Sequence, residues 1–238
     1  MSSAPHRPPV LFVPGTWLDG RLFAAQTEAL SGRFAPLIAD ITRSDSIEAL
    51  AADVLAGAPE RFALVGLSMG GIVALEIYRC APERVTHLAL LDTTPKAESA
   101  DRASSRLSAL AAVARGESET LLRETLAPRY LAPTNRSDGR LTGAVVQMGL
   151  DLGPETFKRQ SRALERRADR EPMLPSITCP TLVLCGREDL LCPQSLHAAM
   201  AAQIPRADLV VLGECGHLAP LERPGGVTNA IRDLMERS

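Results

Sequence analysis

Apolar positions fall along this chain in two alternating rhythms. Short, nearly continuous apolar runs predict strands at 10–13, 36–40, 62–66, 86–92, 181–185 and 209–212. Between them, apolar residues recur three and four apart, which predicts helices over 21–31, 46–56, 69–81, 193–203 and 226–236. Strands that alternate with helices imply a mostly parallel sheet flanked by helices, an α/β fold. Runs as apolar as Leu88–Leu91 suit strands buried on both faces.

The alternation breaks between Thr94 and Ser176, where no strand is convincing. Helical patterns run there over about 99–115, 118–126, 139–150 and 154–167, punctuated by Pro128, Pro133, Pro154, Pro172 and Pro175. A helical insertion between two strands of an open sheet sits well over the carboxyl ends of the strands, where α/β proteins bind ligands. The expected organisation is a core formed by 1–94 and 176–238 with a helical cap at 95–175.

Composition narrows the function classes. The 238 residues are 45% hydrophobic and 23% charged, with a net charge of −2. That balance gives no electrostatic pull toward nucleic acid or membrane. No apolar run approaches a membrane span. The segment Met1–Pro9 is polar and proline-rich, with no signal-peptide h-region. Five cysteines show no CxxC pair and no zinc spacing. The expectations are a cytoplasmic protein with no metal, no cofactor, and no nucleic-acid or membrane partner.

The chemistry centres on Gly66-Leu67-Ser68-Met69-Gly70-Gly71, which joins a predicted strand to a predicted helix. A serine in G-x-S-x-G at such a turn is presented as a nucleophile on a sharp corner. The helix N-terminus below it supplies free N–H groups and partial positive charge for an oxyanion. Serine needs a base and a group that orients the base. His6 lies in the tail, His87 at the wrong end of its strand and His197 inside a helix, so His217, on the loop after the last strand, is the expected base. Asp189, in the turn after the strand at 181–185, is the expected acid, with Glu188 and Asp92 as competitors. The oxyanion donors are expected to be the Met69 N–H and one from the loop Val13-Pro14-Gly15-Thr16-Trp17, Thr16 first and Trp17 second.

The blocks Gly-Leu-Ser-Met-Gly-Gly, Gly-Arg-Glu-Asp and Gly-His-Leu-Ala-Pro-Leu-Glu-Arg-Pro, in that order, resemble those of the α/β-hydrolase superfamily, in its single-domain form with a small helical cap. The resemblance covers Val10 to about Met235. Two departures stand out: Pro14-Gly15 replaces the His-Gly of many relatives, and no hairpin precedes the first strand, so about six core strands are expected rather than eight. The resemblance implies that Gln147 and Met148 line an acyl pocket.

At about 100° per residue, Phe157, Gln160, Ser161, Leu164 and Ala168 share one face of the last cap helix. Arg159, Arg162, Arg166 and Arg170 share the opposite face, which reads as solvated. Gln160 is therefore expected to look inward. Aromatics are only 3% of the chain, so Trp17 is the expected aromatic of an aliphatic pocket. The functional expectation is a serine hydrolase cleaving a small or medium carboxylic ester, so that its partner is a small-molecule acyl substrate. Lactone, thioester or C–C bond hydrolysis on the same triad is the alternative, and a non-catalytic ligand receptor a more distant one.

Overall fold

The structure, a computed structural model, describes residues 7–238; Met1–His6, including the histidine set aside as a tail residue, lie outside them. Six strands form one sheet in the order β2-β1-β3-β4-β5-β6. They are β1 (Pro9–Val13), β2 (Ala35–Ile38), β3 (Phe62–Leu67), β4 (Val85–Leu91), β5 (Thr181–Gly186) and β6 (Ala207–Leu212). Every pairing is parallel. The six expected strands are all present, with ends shifted by one or two residues. β3 and β5 are buried along their whole length, as strands covered on both faces must be.

The main helices are α1 (Ala24–Leu30), α2 (Ile47–Gly57), α3 (Met69–Cys80), α4 (Ala100–Ala114), α5 (Gly139–Glu165), α6 (Gln194–Gln203) and α7 (Pro224–Met235). One buried cluster joins α2 and α3 to Leu64, Leu90 and Val183 on one sheet face. A second joins α1 and α7 to Phe12, Val65 and Leu184 on the other. Each such side chain, fully buried, stabilises the fold by about 1.5–3 kcal/mol.

Between β4 and β5 the chain is helical, without a strand. A stretch of wide helical turns, Leu121–Leu126, lies between α4 and α5. α5 is broken at Gly153, whose φ of 75° is a conformation natural to glycine, and Pro154 follows it. The break falls between the two helices expected from the sequence.

Strand register decides the position of the site. Val13 pairs with Gly66, Leu67 with Leu91, Leu91 with Leu184, and Gly186 with Leu212. The carboxyl ends of five strands are therefore level, and the loops after them meet at one edge of the sheet.

Candidate active site

Ser68 stands between β3 and α3 with φ 54° and ψ −118°, a region that a residue with a Cβ enters only under strain. The glycines that flank it permit the turn. A Cβ on Gly66 would lie 2.3 Å from the carbonyl oxygen of Gly70, and one on Gly70 would lie 2.0 Å from that of Val13. The Ser68 N–H donates to Leu91 O at 3.0 Å, and Thr93 Oγ1 donates to Ser68 O at 2.6 Å, so the strained residue is held on both sides.

Ser68 Oγ is 2.9 Å from His217 Nε2, and His217 Nδ1 is 2.8 Å from Asp189 Oδ2. The other oxygen of Asp189 accepts the N–H groups of Leu191 at 2.7 Å and Cys192 at 3.0 Å. Burial on its own would raise the Asp189 carboxyl. The charge and hydrogen bond of His217, with the two amide donors, outweigh it and hold the group below the ordinary value. Asp189 is thus kept ionised beside the imidazole.

The rival acids are engaged elsewhere. Glu188 Oε2 accepts the Cys215 N–H at 2.9 Å. Asp92 is fully buried at the end of β4 and accepts the N–H of Gly186 at 2.9 Å and of Ala219 at 3.3 Å. Burial first, and then the charge of Asp189, push its carboxyl well above the usual range, against the lowering effect of the two N–H donors.

Of the expected oxyanion donors, Trp17 is committed: its N–H donates to Gln160 Oε1 at 2.8 Å. Among the described residues, neither the Thr16 N–H nor the Met69 N–H meets a protein acceptor. A cavity of about 250 Å³ opens onto Ser68 and His217, with Thr16, Met69 and Leu218 beside them and residues of α4 and α5 opposite.

The model of the "Alpha/beta hydrolase family" matches residues 10–230. The chain belongs to the alpha/beta hydrolase family. It is similar to a pimeloyl-[acyl-carrier protein] methyl ester esterase of Vibrio parahaemolyticus, 26% identical over 242 residues, 96% of this chain and 94% of that protein. It is also similar to a 2-hydroxy-6-oxononadienedioate/2-hydroxy-6-oxononatrienedioate hydrolase of a Pseudomonas species, 28% identical over 189 residues. That match covers 75% of this chain but 64% of the relative's length, less than two thirds of it. Among solved structures, a thermophilic esterase from Thermogutta terrifontis with malate bound superposes with a TM-score of 0.86 at 32% identity, covering 96% of this chain and 89% of that one.

In this alpha/beta hydrolase the expected pocket residues need correction. Gln147 is exposed and donates to Asp151 Oδ1 at 2.7 Å, one turn along α5. Met148 is fully buried in the cluster that includes Leu131 and Leu218. Gln160 is also fully buried, but it bridges the backbone: besides accepting from Trp17, it donates to Ile41 O at 3.0 Å. Trp17 lies behind the cavity wall, its ring 4.4 Å from that of Phe157 and its Nε1–H donating to Gly153 O at 2.9 Å. None of the four lines the cavity; Phe157 does. Of the face expected to turn inward, Phe157, Gln160, Ser161 and Leu164 are buried but Ala168 is exposed, and for Gln160 inward means toward protein. On the opposite face Arg162 and Arg166 are exposed as expected, whereas Arg159 donates to Thr42 O at 2.8 Å and Arg170 pairs with the buried Glu76 at 2.6 Å, so those two are not solvated.

Several residues of the site went unnoticed in the sequence. Glu222 is buried, and its two oxygens accept the N–H of Gly216 at 2.9 Å, Leu218 at 3.3 Å and Ala132 at 2.7 Å, with Asn135 Nδ2 at 2.8 Å. It clamps the His217 loop to the segment before α5, and the His217 N–H itself donates to Tyr130 O at 2.7 Å. The only signal for Glu222 was its place within the third family-like block. His197, set aside as a helix residue, is buried, and its Nε2 accepts the Thr93 N–H at 3.0 Å. Burial lowers its pKa, which keeps it neutral.

One group with metal-ligand side chains occurs among the described residues: Asp189, Cys192 and His217. It fits an ion poorly. The imidazole Nδ1 already faces Asp189, and burial pushes the Cys192 thiol up to about 12, which keeps it protonated. No helix among the described residues is long and apolar enough to cross a membrane.

Proposed function

We propose that the protein is a serine hydrolase that cleaves carboxylic esters of small or medium size, with Ser68 as nucleophile, His217 as base and Asp189 as the acid that orients it. The observation that carries this reading is the unbroken chain from Ser68 Oγ through His217 to Asp189, open to a cavity at its serine end. Ser68 Oγ attacks the ester carbonyl while His217 Nε2 takes its proton. Asp189 holds Nδ1–H and stabilises the imidazolium. The N–H groups of Met69 and Thr16 receive the oxyanion, Trp17 being excluded by its bond to Gln160. His217 then protonates the departing alcohol, and water, activated by the same imidazole, releases the acid from the acyl-enzyme. In this reading segment 95–175 is a cap that shapes the cavity without entering the chemistry. The cavity of about 250 Å³ lies just below the roughly 300–1,000 Å³ common for ligand pockets, which favours a small substrate.

Similarity to the nonadienedioate hydrolase favours one second reading, cleavage of a C–C bond beside a carbonyl by the same three side chains. A panel of acyl esters and vinylogous diketones separates the two by turnover. For either, Ser68→Ala lowers kcat about 10³-fold or more, and a serine-directed phosphonate adds its mass to Ser68. Full activity in the alanine variant, or labelling at another residue, overturns the assignment.

A further inference from the structure

The chain as a whole is slightly acidic, with a net charge of −2, yet the wall of the Ser68 cavity is basic. Arg102, Arg106, Arg129 and Arg167 all line it, and among the described residues the exposed Asp101 is the only carboxylate in the lining. Two of the arginines are accounted for by structure. Glu98 receives Arg106 Nε at 2.7 Å and Arg167 Nη1 at 2.7 Å, so one carboxylate answers two guanidinium groups. Arg167 is further locked by the carbonyls of Lys96, Ala97 and Leu164.

The other two have no anionic partner. Among the described residues no carboxylate lies within 4.0 Å of Arg102 or Arg129, and Asp101 pairs with none of the four. Arg102 and Arg106, four residues apart on α4, project to the same side. The Arg102 guanidinium reaches from α4 to the loop that carries Asp189: Nη2 donates to the carbonyl of Leu191 and approaches Cys192 Sγ at 3.4 Å. The thiol stays neutral and does not answer the charge. Nη1 and Nε of Arg102 meet no protein acceptor. A guanidinium fork that is held by one end and free at the other is suited to a planar oxyanion such as a carboxylate.

We infer that the substrate is an ester bearing a second, ionised carboxylate, which Arg102 and Arg129 bind from the wall of the cavity that opens onto Ser68. This rests on the ester-hydrolase reading given above. Hydrolysis of such a monoester consumes one water and releases an alcohol and a dicarboxylate.

The test compares monoethyl esters of succinic, glutaric and adipic acid with their ω-carboxamide counterparts, which have the same shape and no charge. The native enzyme is expected to favour one acid by roughly 10–100-fold in kcat/KM, the range for a hydrogen bond to a charged group. That preference shrinks as salt is raised. In Arg102→Gln/Arg129→Gln the ratio falls toward one, whereas Arg162→Gln/Arg166→Gln, on the outer face of α5, keeps it. Binding of the free dicarboxylates to Ser68→Ala, followed by calorimetry, reads the anion site without turnover and is lost in the triple variant. If neutral esters are cleaved as well as acidic ones and the dicarboxylates do not bind, the anion site is refuted while the ester reading stands. Dicarboxylate binding that depends on the two arginines, without cleavage of any ester, supports the anion site and overturns the ester reading instead.

Discussion

The backbone N–H of Trp17 donates to the side-chain oxygen of Gln160 at 2.8 Å, a contact between residues 143 apart in the chain. It fastens the loop after β1, which carries the Thr16 N–H, to the second half of α5. Gln160 is fully buried, and both of its bonded partners are backbone groups.

Gln160→Leu is therefore expected to cost stability and catalysis together. Each of the two backbone groups it strands costs about 1–3 kcal/mol. Because the loop and not the cavity wall is disturbed, kcat should fall by a similar factor for short and long acyl esters. Thermal unfolding and a chain-length series check this. A change of chain-length preference with unchanged stability would place Gln160 on the substrate after all.

The three carboxylates near the end of the sheet should respond unequally. Asp189→Asn places an amide against His217 Nδ1 and disturbs the required tautomer, with an expected loss of about 10³–10⁴-fold in kcat. Glu188→Gln and Asp92→Asn, whose side chains serve backbone N–H groups, should lose tenfold or less on the scale of a single hydrogen bond, roughly 1–1.5 kcal/mol. Steady-state kinetics of the three variants decide it, and the assignment of Asp189 fails if Asp92→Asn is the most damaging.

Asp92 also predicts an unusual pH dependence of stability. Its carboxyl is raised in the folded protein above the ordinary value of 3.8. Between that value and its folded pKa the native state holds a proton that the unfolded chain has released. Its contribution to stability therefore falls as pH rises through that window. Asp189, lowered below 3.8, acts in the opposite sense: its contribution is present above 3.8 and is lost as pH falls through its folded pKa. The melting temperature of Asp92→Asn minus that of the native protein should thus climb as pH increases above about 3.8. A flat or falling difference would show that Asp92 is ionised in the fold.

Among the described residues, Glu222 is the one carboxylate that joins the His217 loop to the segment before α5. Glu222→Gln keeps one acceptor oxygen and turns the other into a donor facing N–H groups. Each oxygen accepts from two N–H donors, so unfolding should become easier by about 1–3 kcal/mol for each of the two groups that lose that acceptor. Reactivity of Ser68 toward a phosphonate should fall as well, since the loop that carries the imidazole loses part of its anchoring while the bond to Asp189 remains. Unchanged labelling kinetics at unchanged stability would remove Glu222 from any role in positioning His217.

Much of this was readable in the sequence, for local reasons. The inner strands β1, β3, β4 and β5 declared themselves because burial on both faces demands continuous apolar runs, and the half-exposed edge strands β2 and β6 by shorter apolar runs. Ser68 was legible because Gly66 and Gly70 are required wherever backbone passes within van der Waals contact. The order of Ser68, Asp189 and His217 followed from strand ends that a parallel sheet must bring to one edge. Tertiary structure alone decided the cavity. Helical period shows which face of α5 turns inward, but not whether protein or open space lies there, so Gln160 meets Trp17 and Ile41, and Met148 meets core. Likewise Arg102, Arg106, Arg129 and Arg167 are scattered over three segments. Their convergence on one wall depends on how α4 and α5 pack over the sheet edge, and the one-carboxylate answer from Glu98 depends on distances that no linear spacing encodes.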